Sequence, residues 1–395
     1  MPSPDQSMMR AFLLGVRLPG RVVRESLRRE GRIAAPFGLR RIGALLLIAP
    51  VFAALQLCHW IGFALDEWLF PKYRSVNIRQ PVFISGIPRS GTTFVHRFLA
   101  KHLVDTTTFS TWEAVLAPSI CERLLVRALD RLDQLLGGPG RRLLGWITER
   151  MAGRQDAFHP IRLEDGEEDY LALLPIGGCF ITVLLFPSSP QIWSLTALEE
   201  WRAKDRATLL DFYHRCLQRH LWFHGPDKRL LSKNAAFASW LPYLRDRYPD
   251  GRFLVCVRPP HEALASNLSS LRGALLATGN ARAAPAFTTA MAKAYLRSFQ
   301  QLLAFASIQS TLPTVGILDQ PVLKAHPEKV LGRLCQEMGL PLEPSSLTQD
   351  SASAGTTQPH RHRWFTAAPI PAQFSSQCHP IYEQIKALGH SSSGP

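Results

Sequence analysis

The sequence predicts an α/β fold, a parallel sheet flanked by helices, preceded by an N-terminal apolar and basic helical segment. Three observations lead there. Val82 to Ser85 and Arg252 to Val257 are short apolar runs containing Val and Ile, as expected of strands covered on both faces. Each passes through a Gly- or Pro-containing turn into a segment of helical period, the alternation that generates parallel strands. Ahead of both, an arginine-rich stretch gives way to a long uncharged one.

At 395 residues the chain can hold one large α/β domain with appended segments, or two small domains. Nearly half of it is apolar, enough for a sizeable core. A net charge of +14 and a pI near 9.8 point to anionic ligands or an anionic membrane surface. The basic residues are dispersed, without a binding motif of interleaved aromatics, so no nucleic acid partner is expected. Seven cysteines are scattered, odd in number and without CxxC spacing. They read as buried free thiols of a reducing compartment, and they support neither a disulfide framework nor a zinc site. No metal site is expected elsewhere.

Residues 1–42 carry nine arginines against three acids, with Phe12, Leu13, Leu14, Val16 and Leu18 between them. Ile42 to Leu65 then runs 24 residues without a formal charge, long enough to span a bilayer. Pro50, Gln56 and His59 interrupt it, and Trp60 and Trp68 stand where an interfacial belt would place them. It is not a signal peptide, because the basic region is too long and no small-residue cleavage site follows. Three readings stay open: a spanning helix, a helical hairpin in one leaflet, or a helix packed on the domain or at a homodimer interface.

The stretch Pro81-Val-Phe-Ile-Ser-Gly-Ile-Pro-Arg-Ser-Gly-Thr-Thr-Phe-Val-His96 organises the rest. A buried strand ends at Gly86, turns through Pro88 and Gly91, and resumes as a helix marked by Phe94, Val95, Phe98 and Leu99. Unpaired amides and the positive end of the helix dipole there make an anion cradle. The spacing Gly86-x-x-x-x-Gly91 is nearly a nucleotide-triphosphatase P-loop, but Thr92 takes the place of the Lys that reaches the β- and γ-phosphates. The cation is instead Arg89, at the tip of the turn.

Pro88-Arg-Ser-Gly-Thr-Thr93 resembles the 5′-phosphosulfate loop of sulfotransferases that use 3′-phosphoadenosine 5′-phosphosulfate (PAPS), in the version with Arg for Lys common among bacterial members. The resemblance implies a P-loop-like parallel sheet, PAPS as co-substrate, and transfer of its sulfuryl group to a hydroxyl or, less often, an amine. It assigns Gly86, Arg89, Ser90, Gly91, Thr92 and Thr93 to the cofactor, and it implies a second site for the 3′-phosphate.

Further along, Thr106 to Trp112 reads as a strand ending at Glu113, Leu116 to Leu136 as a helix, and Trp201 to Phe223 as another. Arg229-Leu-Leu-Ser-Lys-Asn234 reads as a strand ending in Lys233, which fits the family's strand-end Lys. The strand Arg252 to Val257 delivers Arg258 where a phosphate-transferring enzyme would carry a magnesium-binding Asp, and Arg binds an anion directly. Sulfotransferases are similar here: a strand-end Arg, then Ser eight positions on, both gripping the 3′-phosphate, a pattern that Arg258 and Ser266 match. Leu271 to Ala286 reads as a flexible lid, and Thr314 to Leu318 as the last strand. His360-Arg-His-Arg363 lies where relatives return a C-terminal loop to the 3′-phosphate, which makes Arg361 a further candidate.

The acceptor's proton needs a base. The position two after the strand-end Lys, a His in many relatives, is Ala235. The family resemblance points first to Glu113; His159 and then Glu168 follow. Arg89 and Lys233 would stabilise charge on the leaving phosphate. The expected organisation is a helical segment at 1–75 with membrane attachment, a catalytic α/β domain at 76–345, and a loop and tail at 346–395 returning to the cofactor. The acceptor is expected to be a small molecule or a lipid hydroxyl. A cytosolic co-substrate favours attachment from the cytosolic face. A P-loop kinase and a non-catalytic, membrane-associated nucleotide-binding protein are the alternatives.

Overall fold

The structure, a computed structural model, describes residues 4–152, 166–309, 314–342 and 369–391. Five strands, β1 (Val82–Gly86), β2 (Thr106–Thr107), β3 (Arg229–Lys233), β4 (Arg252–Val257) and β5 (Val315–Asp319), form one sheet in the order β2-β3-β1-β4-β5. Every pairing is parallel, with Ile84 opposite Lys233 and Gly86 opposite Cys256. β1 is therefore the central strand, and the carboxyl ends of β3, β1 and β4 meet at one edge, where open α/β sheets bind ligands.

Alternation along the strands builds two apolar layers. Val82 and Ile84 of β1 join Leu254 and Cys256 of β4 under the helix Thr92–His102 and Leu331. Phe83, Val255 and Val257 face the other way, into a larger cluster with Leu217, Leu264 and Phe299.

The N-terminal helices share that larger cluster. Ala11, Leu14, Leu18 and Val22 of the helix Pro4–Leu27 and Phe63 of the helix Leu39–Leu69 pack there with Leu209 and Phe212. The hairpin reading of Ile42 to Leu65 is replaced by one continuous helix, Leu39–Leu69, with Pro50 inside it. Its polar anchor is Asp66, fully buried. Asp66 accepts from Arg219 Nε at 2.8 Å and from the amides of Ile120 and Cys121 at 2.9 Å. By length and composition this helix could cross a membrane.

Other expectations are corrected. The predicted strand Thr106 to Trp112 is only two residues long, because Ser110 and Glu113 form a capping box that starts the helix Thr111–Val115. The predicted lid Leu271 to Ala286 is instead the end of the helix Pro260–Ala277, a turn, and the start of Ala284–Gln309. The described part of the C-terminal tail is a helix, Ala372–Ser391, whose Tyr382 hydroxyl donates to Asp319 Oδ1 at 2.8 Å. The cysteines are free thiols and five are buried, but Cys58 is exposed.

Candidate active site

The turn after β1 is built by close backbone approach. Gly86 sits at φ +147°, and a Cβ there would lie 2.0 Å from the carbonyl oxygen of Cys256. Ile87 N–H donates to that same carbonyl at 3.0 Å, which pins the turn to β4. Arg89 and Gly91 both take positive φ, +69° and +91°. A left-handed Arg is uncommon and costs free energy that the surrounding packing must hold, a pattern that clusters at functional sites. The helix Thr92–His102 begins without a side-chain cap, so its first amides stay open for an anion. Ser90 Oγ is buried beside them and has no partner.

The two candidate phosphate loops interlock. Arg89 Nε donates to Ser266 Oγ at 3.2 Å. Arg258 Nη1 donates to the carbonyl oxygen of Arg89 at 3.2 Å, and its Nη2 pairs with Glu262 at 3.2 Å. Arg258 Nε is buried without a partner. Tyr295, from the helix Ala284–Gln309, donates its hydroxyl to the carbonyl oxygen of Pro88 at 3.1 Å and braces the turn from outside. Two guanidinium groups and an uncapped helix start thus converge, beside orphaned buried donors.

On the other side of β1, Lys233 Nζ lies 3.3 Å from Glu167 Oε2 and 3.9 Å from Glu168 Oε1. The Lys233 side chain is 2 % exposed and those of both glutamates 25 %. Burial raises the Glu168 carboxyl above its ordinary value, Lys233 opposes this, and Glu167 and Asp169 add to it. Asp169 is pushed up to about 6, by burial first, against hydrogen bonds from Ser232 and Tyr213. His96 stays neutral, its pKa lowered to about 3 by burial and by the charge of Lys233. A carboxylate that gains basicity beside a buried ammonium, here at the carboxyl end of β3, is equipped to take a proton.

The sulfotransferase family's sequence profile matches residues 81–344. The chain belongs to the sulfotransferase family. Among solved structures it is similar to sulfotransferase STF1 from Mycobacterium tuberculosis H37Rv, at 17 % identity over 87 % of this chain and 91 % of that one, with a TM-score of 0.62. It is also similar to sulfotransferase STF9 from Mycobacterium avium, at 12 % identity over 83 % and 74 % of the two chains, with a TM-score of 0.54. At these identities the likeness is one of fold. No curated protein matches the sequence.

In this sulfotransferase Glu113 is not a strand-end carboxylate facing the loops. It is the third residue of a short helix, 2 % exposed, and its Oε2 accepts from the Ser110 amide and hydroxyl at 3.0 and 2.8 Å. Its Oε1 meets His224 Nε2 at 2.5 Å, with Arg123 Nη1 3.8 Å away. Burial pushes this carboxyl up, but the His224 hydrogen bond and the Arg123 charge outweigh it and hold the group below the usual carboxylate range. A carboxylate so held is a weak base. Glu113, His220 and His224 could in principle ligate a metal. His220 Nδ1, however, lies 3.3 Å from Arg123, and its Nε2 lies 2.9 Å from Thr107 Oγ1. The buried guanidinium already supplies the positive charge there.

His159 and Arg361, two predicted site residues, lie outside the described residues. The structure brings together Gly86, Arg89, Ser90, Gly91, Thr92, Arg258 and Ser266, with Thr93 exposed on the next helical position. Glu167 and Tyr295 are contributors that sequence reasoning passed over. The acidic run Glu167-Glu-Asp169 was a usable signal for the first, whereas nothing in the sequence ties Tyr295 to Pro88.

Proposed function

We propose that the protein moves the sulfuryl group of PAPS onto an acceptor hydroxyl, or less often an amine, releasing 3′-phosphoadenosine 5′-phosphate. The observation that supports this reading is the junction of Arg89, Ser266 and Arg258, because the turn proposed for the 5′-phosphosulfate and the residues proposed for the 3′-phosphate share hydrogen bonds. Gly86, Ser90, Gly91, Thr92 and the helix amides would hold the 5′ end, and Arg258 with Ser266 the 3′-phosphate. The orphaned Ser90 Oγ and Arg258 Nε fit such a ligand.

Bond changes are simple. The acceptor oxygen bonds to sulfur as the sulfur–oxygen bond to the 5′-phosphate breaks, and the acceptor loses its proton. Arg89 and Lys233 stabilise the charge that gathers on the departing phosphate oxygen. With two cations in place and Thr92 where a P-loop enzyme keeps its Lys, we propose that no metal ion takes part. Glu168 takes the proton, since its carboxyl lies beside Lys233 and is more basic than an ordinary glutamate. Because PAPS is a cytosolic nucleotide, the reaction is assigned to the cytosol.

The test is turnover of sulfur-labelled PAPS by the purified chain, with a chelator present, against lipid and small-molecule extracts. New labelled sulfate esters support the proposal. Strict dependence on magnesium and ATP, with phosphate esters formed instead, would overturn it.

A further inference from the structure

The helix Leu39–Leu69 is a long apolar element that the fold leaves half uncovered. Its 31 residues extend about 46 Å. At about 100° per residue, exposed Leu46, Leu47, Val51, Leu57, Ile61 and Trp68 fall on one half of its circumference. Trp68 is 78 % exposed and Leu46 72 %. The opposite half carries the residues that dock on the protein.

Both ends of the helix are fastened down. At its start, Arg41 is buried, donates to the carbonyl oxygens of Ala35 and Leu185, and stacks 4.2 Å over the Phe37 ring. Toward its end, His59 contacts Glu122 at 2.6 Å, Gly62 packs on Ser119, and Asp66 is paired with Arg219 inside the core. A helix anchored at both ends by buried polar groups lies along the surface. To cross a bilayer it would have to break the Asp66–Arg219 pair.

Its neighbours extend the same surface. The helix Pro4–Leu27 meets it edge to face at Phe12 and Trp60, with ring centroids 5.2 Å apart, and exposes Met9, Leu13, Val16 and Val23 in a narrow stripe. Arg10, Arg17 and Arg24 recur every seventh residue along one flank of that stripe. Arg10, Arg24, Arg28, Arg29 and Arg32 are exposed and have no acidic partner among the described residues; Arg17 pairs with Asp205. On the other side, the helix Ile120–Leu135 exposes Leu125, Leu129 and Leu132. An apolar face this large on a folded chain marks an interaction site, and its arginine border is complementary to an anionic surface.

We infer that this face beds into one leaflet of an anionic bilayer, with the helix Leu39–Leu69 lying in the plane of the interface. The apolar side chains enter the acyl boundary and the arginine flank lies among the headgroups. The buried face of the helix Pro4–Leu27 touches the segment that follows Glu168. Gly15 packs directly on the carbonyl of Pro175, and Gly177 packs on Leu18 and Pro19. Pro175 belongs to the segment Asp169–Ile176, which continues from Glu168, and Gly177 caps it.

The test is flotation of the full-length chain with phosphatidylcholine vesicles, with and without phosphatidylserine, read without any turnover measurement. The expected result is flotation with the anionic vesicles, weakened by salt. The double substitution Leu47→Glu and Val51→Glu should lower it at least about tenfold without changing the melting curve, since both side chains are exposed. Arg24→Glu with Arg28→Glu should weaken binding to the anionic vesicles more than to neutral ones. Three results would each overturn the inference: no flotation by the folded protein, a soluble dimer that Leu47→Glu with Val51→Glu splits, or resistance to alkaline carbonate extraction from membranes.

Discussion

Arg89 Nε donates to Ser266 Oγ across 3.2 Å, joining the turn after β1 to the helix after β4 over 177 residues of chain. Neither residue is placed by its own loop alone. The carbonyl oxygen of Arg89 also receives Arg258, so the left-handed conformation at φ +69° is held from the second loop. The two candidate anion loops, linked in this way, should respond to substitution differently.

Arg89→Ala should reduce turnover by on the order of 10²-fold or more, with a smaller loss of nucleotide affinity. That is the signature of removing a group that acts on charge developing in the transition state. Single-turnover kinetics beside equilibrium titration separate the two effects, and unchanged turnover would remove Arg89 from catalysis.

Arg258→Ala should weaken 3′-phosphorylated nucleotide by roughly 1.5–3 kcal/mol, the range of a charge-assisted hydrogen bond. Adenosine 5′-phosphosulfate, which lacks the 3′-phosphate, should bind nearly as before. Equal losses for the two ligands would mean that Arg258 serves only to hold the Arg89 carbonyl.

Glu168→Gln should slow turnover by roughly 10²–10⁴-fold while nucleotide binding survives. A base works ionised, and the Glu168 carboxyl is raised, so the acid limb of the rate profile should lie above the ordinary glutamate value of 4.5. The substitution should abolish that limb. A profile unchanged in Glu168→Gln would transfer the role to another group.

Glu113→Gln should act on the fold. It leaves buried Arg123 without its carboxylate, at a cost of roughly 3–5 kcal/mol by analogy with broken buried pairs. The Glu113 carboxyl is depressed in the folded chain, so its stabilisation is present above the unfolded value near 4.5 and is lost as pH falls below it. Denaturant titrations across that range measure the loss. A stable Glu113→Gln protein with abolished turnover would restore Glu113 as the base.

Asp169 has the opposite sign. Its pKa rises from 3.8 unfolded to about 6 folded, so its favourable contribution is complete below 3.8 and is lost as pH climbs through 6. Asp169→Asn should flatten that part of the stability profile by on the order of 3 kcal/mol. A slope unchanged between those values would show that the group ionises freely in the fold.

The strands β1, β3 and β4 and the two turns after β1 and β4 were legible because each candidate residue lies at a countable distance from an apolar strand signal. Arg89, Lys233, Arg258 and Ser266 can each be counted off from the end of one. Glu113 was misplaced for a local reason. Thr106 to Trp112 has the composition of a strand, while the Ser110-x-x-Glu113 spacing encodes a helix start that takes over after two paired residues. The His224 and Arg123 partners of Glu113 come from distant helices, and no local pattern announces them. The same holds for Asp66 and Arg219, 153 residues apart, whose buried pair fixes the posture of the apolar helix. Glu168 ranked only third among the candidate bases in the sequence, because its neighbour Lys233 stands 65 residues away in the chain.

Calorimetric titration of the purified chain with 3′-phosphoadenosine 5′-phosphate, in the presence of a metal chelator, tests the central claim most directly. The expected result is saturable binding at a single site, with adenosine 5′-phosphate bound at least about tenfold more weakly for want of the 3′-phosphate, a difference of 1.4 kcal/mol or more. Equal affinity for the two nucleotides, or binding of ATP with magnesium in preference to both, would contradict it.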